Sequence, residues 1–283
     1  MNSLKSYNPF NPANPSPVML ACLLIPQLLL AQHDSIPSGV YSWKKPATWQ
    51  DKILSTILFE GSTTDMEYLQ MSACSISGGK TNDFRTPDNE ERLLIIRSGV
   101  VVVHVNDSSF TLTKGSIALI MPRDHYSLLG KHKSARSDFA KPTSDTSAGD
   151  QPSDACDYYL MKYRSKNPLG KAAGGSFVKK WEYIPFRPHD KGGVRNFFQH
   201  PTAMTRRFEM HATTLNEGLR SHDPHRHRAE EIIVIIDGKA EEQIGEKFYN
   251  ASAGDVIFLP SNVSHAIRND GTGPCTYFAF QFE

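Results

Sequence analysis

Helical periodicity is the first thing this sequence lacks. Almost no stretch repeats apolar residues at the i, i+3, i+4 spacing that would give a helix one buried face, which argues against an all-α or α/β fold. Cysteine is scarce too, with four in 283 residues and no Cys-x-x-Cys pair. Cys22 lies in the N-terminal apolar segment, and Cys74, Cys156 and Cys275 form an odd set that suits neither a disulfide framework nor a zinc cluster. Buried free thiols are expected, with a Cys74–Cys156 bond as the alternative in an oxidising compartment. An excess of one charge is missing as well: 31 Lys and Arg balance 30 Asp and Glu, for a net charge of +1. Nothing therefore points to nucleic acid or another polyanion as a partner. Finally, no apolar run is long enough to be a clear membrane span. The longest, Val18–Ala31, is interrupted at Pro26 and Gln27 and preceded by a single charge, Lys5. Ending on small Ala31 and followed by polar sequence, residues 1–32 read as a secretory signal. The mature protein is then expected to be secreted or periplasmic and free of the membrane; without such a signal it would be cytoplasmic.

What the chain has is short strands. "RLLIIRSGVVVVHV", "SIALIMP", "EIIVIIDG", "DVIFLP" and "TYFAFQF" are rich in β-branched and aromatic residues and bounded by Gly, Pro, Asn, Asp or Ser. That pattern predicts an all-β antiparallel sandwich or barrel. The runs come twice. Gly99 and Gly115 stand sixteen residues apart, as do Gly238 and Gly254. A Glu-started strand precedes each first glycine, and a strand ending at proline (Pro122, Pro260) follows each second one. A repeat of about 140 residues predicts two copies of one β-domain. The expected organisation is a first barrel over 37–166, a linker over 167–193 and a second barrel over 194–283. The polar stretch 131–157 would be a long loop inserted in the first barrel, and "VKKWEYIPF" a strand strapping the two barrels together.

Chemistry concentrates in "SHDPHRHRAEE", Ser221–Glu231. If this stretch is a strand, residues two apart share a face. His225, His227 and Glu231 would then point to one side, and His222 and Glu230 away from it, into supporting or surface roles. Imidazole nitrogens and a carboxylate are the usual ligands of borderline divalent metals. A fourth ligand, His265, is supplied by "GDVIFLPSNVSHAIRN", a strand that can return beside the first.

These two stretches resemble the two motifs of the cupins. The first motif reads Gly218, His225, His227, Glu231, Gly238, with one residue more than usual after Gly218. The second reads Gly254, Pro260, His265, Asn269, with Asn262 in place of the motif glycine; asparagine tolerates the left-handed conformation that the turn needs. The resemblance covers roughly 55 residues in detail, with a degenerate echo in the first repeat. It implies two jelly-roll barrels in tandem and one divalent ion (Mn, Fe, Ni or Zn) held by His225, His227, Glu231 and His265. It also implies a small-molecule ligand, with a homodimer as the family expectation. The layout, with metal in the C-terminal barrel alone, is similar to the (S)-ureidoglycine aminohydrolase group of bicupins. That group has a glutamine as fourth ligand where this chain has His265.

In the first repeat "KTNDFRTPDNEE" stands in place of the histidine pair, and counting from Pro122 puts Ser127 where His265 would be, with His125 two residues early. This barrel is expected to bind no metal and to serve packing, dimerisation or closure of the other barrel. Arg85 and Arg123 are read as surface arginines rather than anion ligands. The ligand set allows a metalloenzyme of oxygenase, isomerase or hydrolase type, or a carbohydrate- or metabolite-binding module with a structural metal. Catalytic residues are not assigned. Glu209, His211, Glu241 and Tyr249 are candidates for the cavity wall, and Glu230 or Asn269 for orienting a ligand imidazole.

Overall fold

The computed structural model describes residues 34–50, 53–77, 81–130, 155–170 and 174–283. The apolar N-terminal segment and most of the 131–157 stretch lie outside the described residues, so the expected signal and inserted loop are not seen.

Strands β1 (Gly39–Tyr41), β2 (Thr48–Gln50), β3 (Ile53–Gly61), β4 (Met66–Ile76), β5 (Thr81–Arg85), β6 (Glu91–Ser98), β7 (Val101–Val105), β8 (Ser108–Leu112), β9 (Ile117–Ile120), β10 (His125–Gly130) and β11 (Cys156–Ser165) belong to the first half of the chain. The second half has β12 (Phe177–Lys179), β13 (Arg187–His189), β14 (Gly192–His200), β15 (Phe208–Leu215), β16 (Glu230–Asp237), β17 (Lys239–Ile244), β18 (Lys247–Ser252), β19 (Val256–Leu259), β20 (His265–Asn269) and β21 (Cys275–Phe282). Among the described residues the one helical element is a 3-10 turn at Trp181–Tyr183.

The strands form four antiparallel sheets in two matching pairs. Two seven-stranded sheets have the orders β2-β3-β4-β11-β6-β9-β12 and β13-β14-β15-β21-β16-β19-β1. Each faces a smaller sheet, β5-β10-β7-β8 or β18-β17-β20. This is the tandem pair of jelly-roll barrels expected from the sequence. The barrel interiors hold separate apolar clusters, one with Ile96, Val103 and Leu128, the other with Ile235, Ile257 and Ile267. A third cluster, built from residues such as Leu93, Ile95, Tyr163, Val234, Phe278 and Phe280, lies between the two large sheets. The central strands of those sheets are therefore buried on both faces. That is why β6, β9, β16, β19 and β21 read as continuous apolar runs, whereas β7 and β17 alternate in burial.

Each large sheet is closed by a strand from the opposite half. β12 pairs with β9 of the first barrel, and β1 pairs with β19 of the second. The expected strap is thus present, and it is reciprocal. A tryptophan follows each strap strand. Trp181 covers Gly115, where an added Cβ would sit 2.5 Å from the ring, and Trp43 covers Gly254, where it would sit 3.2 Å from the Trp43 Cβ. Both glycines have positive φ, so the repeat keeps them for backbone conformation and for close approach alike. Buried carboxylates tie the large sheets together. Glu230 accepts bonds from Thr63 Oγ1 (2.5 Å) and Thr64 N (2.7 Å). Its repeat counterpart Glu91 accepts bonds from Met204 N (3.1 Å) and the Tyr163 hydroxyl.

Candidate metal centre

The site lies where β16 and β20 meet the segment before β16. That segment, Ser221–Ala229, is not a strand; it runs as bends, with one bridge between His225 and His265. Side-chain direction there follows the loop rather than a two-residue period, so strand parity holds only from Glu230 onward. The segment is pinned by paired hydrogen bonds between His225 and His265 backbones (3.2 and 2.9 Å) and by Asn262 N donating to His227 O (2.8 Å). Asn262 adopts φ 61°, the left-handed turn expected of it in place of glycine.

His225, His227 and His265 bring one ring nitrogen each within 4.8 Å of one another; among the described residues this is the one such cluster of three potential ligands. These three histidines can hold a metal ion. A Glu231 oxygen lies 3.0 Å from His227 Nε2 and 3.3 Å from His265 Nε2. The tautomers suit ligation. His227 Nδ1 lies 2.9 Å from Ala229 O and His265 Nδ1 lies 3.0 Å from Val263 O. A carbonyl only accepts, so each Nδ1 carries a proton and each Nε2 lone pair faces the centre. His265 Nε2 is buried yet lacks a hydrogen-bond partner, since the nearby carboxylate is not aligned with it. A cation at the convergence point fits this donor set. Burial would raise the Glu231 pKa, but the close approach of the His227 and His265 rings outweighs it and holds it at about 2. The adjacent Glu231 carboxylate raises His227, while burial and the neighbouring imidazoles lower His225.

Other sequence candidates divide. His222 does not turn away: its ring packs edge-on against His225 at 4.0 Å and lines the same cavity. Glu230 faces the other barrel, as described, and orients no imidazole. Asn269 does not orient one either; its amide caps a turn, donating to Leu215 O and Gly273 O. Glu209 is bound to Arg207 (2.6 Å) outside the cavity lining, whereas His211, of the same parity, lines it. Glu241 faces outward and pairs with Arg268 (3.4 Å). Tyr249 packs against the barrel's apolar cluster.

Three residues were missed, Tyr277 of the cavity lining among them. Gln281, on β21 opposite Glu231, donates its amide to Glu231 (3.1 Å). Glu242 is fully buried inside the barrel with neither oxygen hydrogen-bonded. Burial and the nearby Glu231 charge push its pKa well above the carboxylate range. The available signal was parity within β17, where Ala240, Glu242 and Ile244 share the inward face. The cavity over the centre has a volume near 180 Å³ and is lined by His211, Tyr277, Ile233, Ala279 and Gln281 besides the histidines.

The three cysteines in the described residues are free and buried, and burial pushes each thiol up to about 12. Cys74 and Cys156 are not bonded to each other.

Comparison with known proteins defines the class. Residues 212–280 match the cupin domain family model. Over most of its length the chain shares the fold of several solved structures. One is protein Ylba from E. coli, at 14% identity and TM-score 0.62, covering 90% of this chain and 96% of that one. Another is a putative glyoxylate-induced protein from Pseudomonas aeruginosa, at 13% identity and TM-score 0.63, covering 86% and 84%. A third is oxalate decarboxylase from Lactobacillus farciminis, at 12% identity and TM-score 0.60, covering 88% and 87%. No curated protein matches the chain in sequence. The molecule has the bicupin fold, and its second barrel carries a cupin domain with three convergent histidines.

Proposed function

We propose that the second barrel binds one divalent metal ion through His225, His227, His265 and Glu231 and that the protein is a metalloenzyme for a small polar substrate. The observation that carries this reading is the convergence of the buried, partnerless His265 Nε2 with the His227 and Glu231 donors. When bound, a divalent ion at such a site polarises a substrate oxygen, lowers the pKa of a coordinated water or, if iron, supports oxygen chemistry.

The chain's own groups favour turnover over simple retention. His211 faces the cavity, and burial lowers its pKa, so it is neutral at pH 7 and can accept a proton. Tyr277, whose pKa burial raises, stays protonated and can donate. Gln281 holds the Glu231 carboxylate in place. Among the described residues the cavity lining includes no lysine or arginine, so an anionic substrate would rely on the ion for its charge partner. Oxygenase, isomerase and hydrolase chemistries all fit this set. The alternative is a carbohydrate- or metabolite-binding protein with a structural metal, favoured by the modest cavity volume. We further propose, on sequence alone, that residues 1–32 are a secretory signal and that the mature protein is secreted or periplasmic.

The test is turnover of small hydroxy, keto and dicarboxylic acids by metal-loaded protein, in air and without oxygen, beside His211→Ala. Turnover that falls at least tenfold in this variant while metal content is kept supports the enzyme; tight binding without turnover favours the module.

A further inference from the structure

The first barrel has a cavity where the second has its metal centre. Strand registers set the correspondence. Arg92 pairs with Lys162 across β6 and β11 as Glu231 pairs with Gln281 across β16 and β21. Tyr126 pairs with Val105 as His265 pairs with Ile244. Tyr126, not Ser127, therefore takes the place of His265, because the first repeat has one more residue between its glycine and its proline than the second. Phe84 pairs with Tyr126 as His225 bridges His265. Arg123, with φ 71°, repeats the turn of Asn262, bonding to Thr86 O as Asn262 bonds to His227 O.

The substitutions replace a carboxylate by a cation and imidazoles by rings. We infer that the first barrel binds a small carboxylate with a flat apolar body, an aromatic or unsaturated acid, between Arg92, Lys162 and Tyr158. The cavity is near 170 Å³, below the roughly 300–1,000 Å³ of sites for drug-sized ligands. Arg92 and Lys162 both line it, and among the described residues its lining includes no acidic side chain. Arg92 is fixed by Glu90 (2.8 Å) and by the Tyr126 hydroxyl (3.0 Å), and Glu90 is shared with Arg164 (3.6 Å). A fixed guanidinium beside an ammonium is a carboxylate receptor. A second observation is independent of charge: the Tyr158 hydroxyl, on a fully buried residue lining this cavity, has no oxygen or nitrogen partner and only the weakly bonding Cys74 thiol beside it. Phe84 and Tyr126 stack at 5.1 Å as one wall, matching a flat ligand body. Arg85, read from sequence as a surface residue, is exposed and pairs with Asp88 (3.4 Å) but lines this cavity's rim. Arg123 stays outside it, also against Asp88 (3.3 Å).

The test is calorimetric titration of the full-length protein with benzoate and cinnamate, with benzamide and inorganic phosphate as controls. At least one of the two acids should bind, with benzamide at least tenfold weaker. Lys162→Met should weaken that binding about tenfold, and Tyr158→Phe several-fold, the scale of one charge-assisted and one neutral hydrogen bond. His227→Ala, in the other barrel, should leave it unchanged. No binding of either acid, equal binding of benzamide, binding of phosphate alone, or loss of acid binding in His227→Ala would each overturn the assignment. Arg92 is left intact in these variants because its removal would strand the buried Glu90.

Discussion

At the scale of single residues, the His265 Nε2 and the Glu242 carboxyl are both buried polar groups without a hydrogen-bond partner of good geometry, and they differ in what surrounds them. The unpaired nitrogen of His265 meets the donors of His227 and Glu231, and a shared cation explains all of them. Glu242 meets no cation, and its carboxyl is driven toward the neutral form. Because its pKa in the fold lies above the ordinary 4.5, the native state retains a proton that the unfolded chain releases above that pH. This costs stability as the pH rises past 4.5 and costs nothing below it. Glu242→Gln should therefore unfold at a higher temperature than wild type at about pH 8, by the equivalent of about 1–3 kcal/mol, and match it at about pH 4. An equal difference at both pH values would show that the carboxyl is ionised in the fold. The convergence of His225, His227 and His265 was legible because metal sites constrain residue type and spacing together. Glu242 was less so, because a lone carboxylate in an alternating strand looks like a solvated one until the strand's inward face is known.

At the scale of elements, the strands were legible and the direction of one segment was not. Runs such as "EIIVIIDG" announced strands through composition, and their lack of alternation is explained by burial on both faces. Parity failed at Ser221–Ala229 because the backbone there bends, which brings His222 into the cavity instead of away from it. The repeat glycines announced turns, but their packing against Trp181 and Trp43 depends on straps from distant sequence. Gly115 and Gly218 separate the two effects, since both have positive φ and only Gly115 is covered. Gly218→Ala should cost about 1–2 kcal/mol of backbone strain, and Gly115→Ala distinctly more in a urea titration. Equal losses would mean that the Trp181 strap contributes nothing at that point.

At the scale of the whole molecule, the barrels are not independent beads. Residues His33–Glu283 form one compact unit, with an apolar cluster between the large sheets, exchanged edge strands and buried carboxylates crossing the interface. Unfolding should therefore be one transition, coincident by tryptophan fluorescence and far-ultraviolet circular dichroism, and metal should shift the whole transition. Two separated transitions would contradict the shared core. Such coupling lets a barrel without a histidine cluster support one that has it, and the repeat puts Arg92 and Lys162 in one barrel where Glu231 and Gln281 stand in the other. The central claim remains the metal centre, and the most direct measurement is elemental analysis of the purified full-length protein beside His265→Ala and Glu231→Gln. One equivalent of a divalent transition metal in wild type, largely lost in both variants, is the predicted result; a metal-free wild type after loading, or full occupancy in both variants, would contradict it.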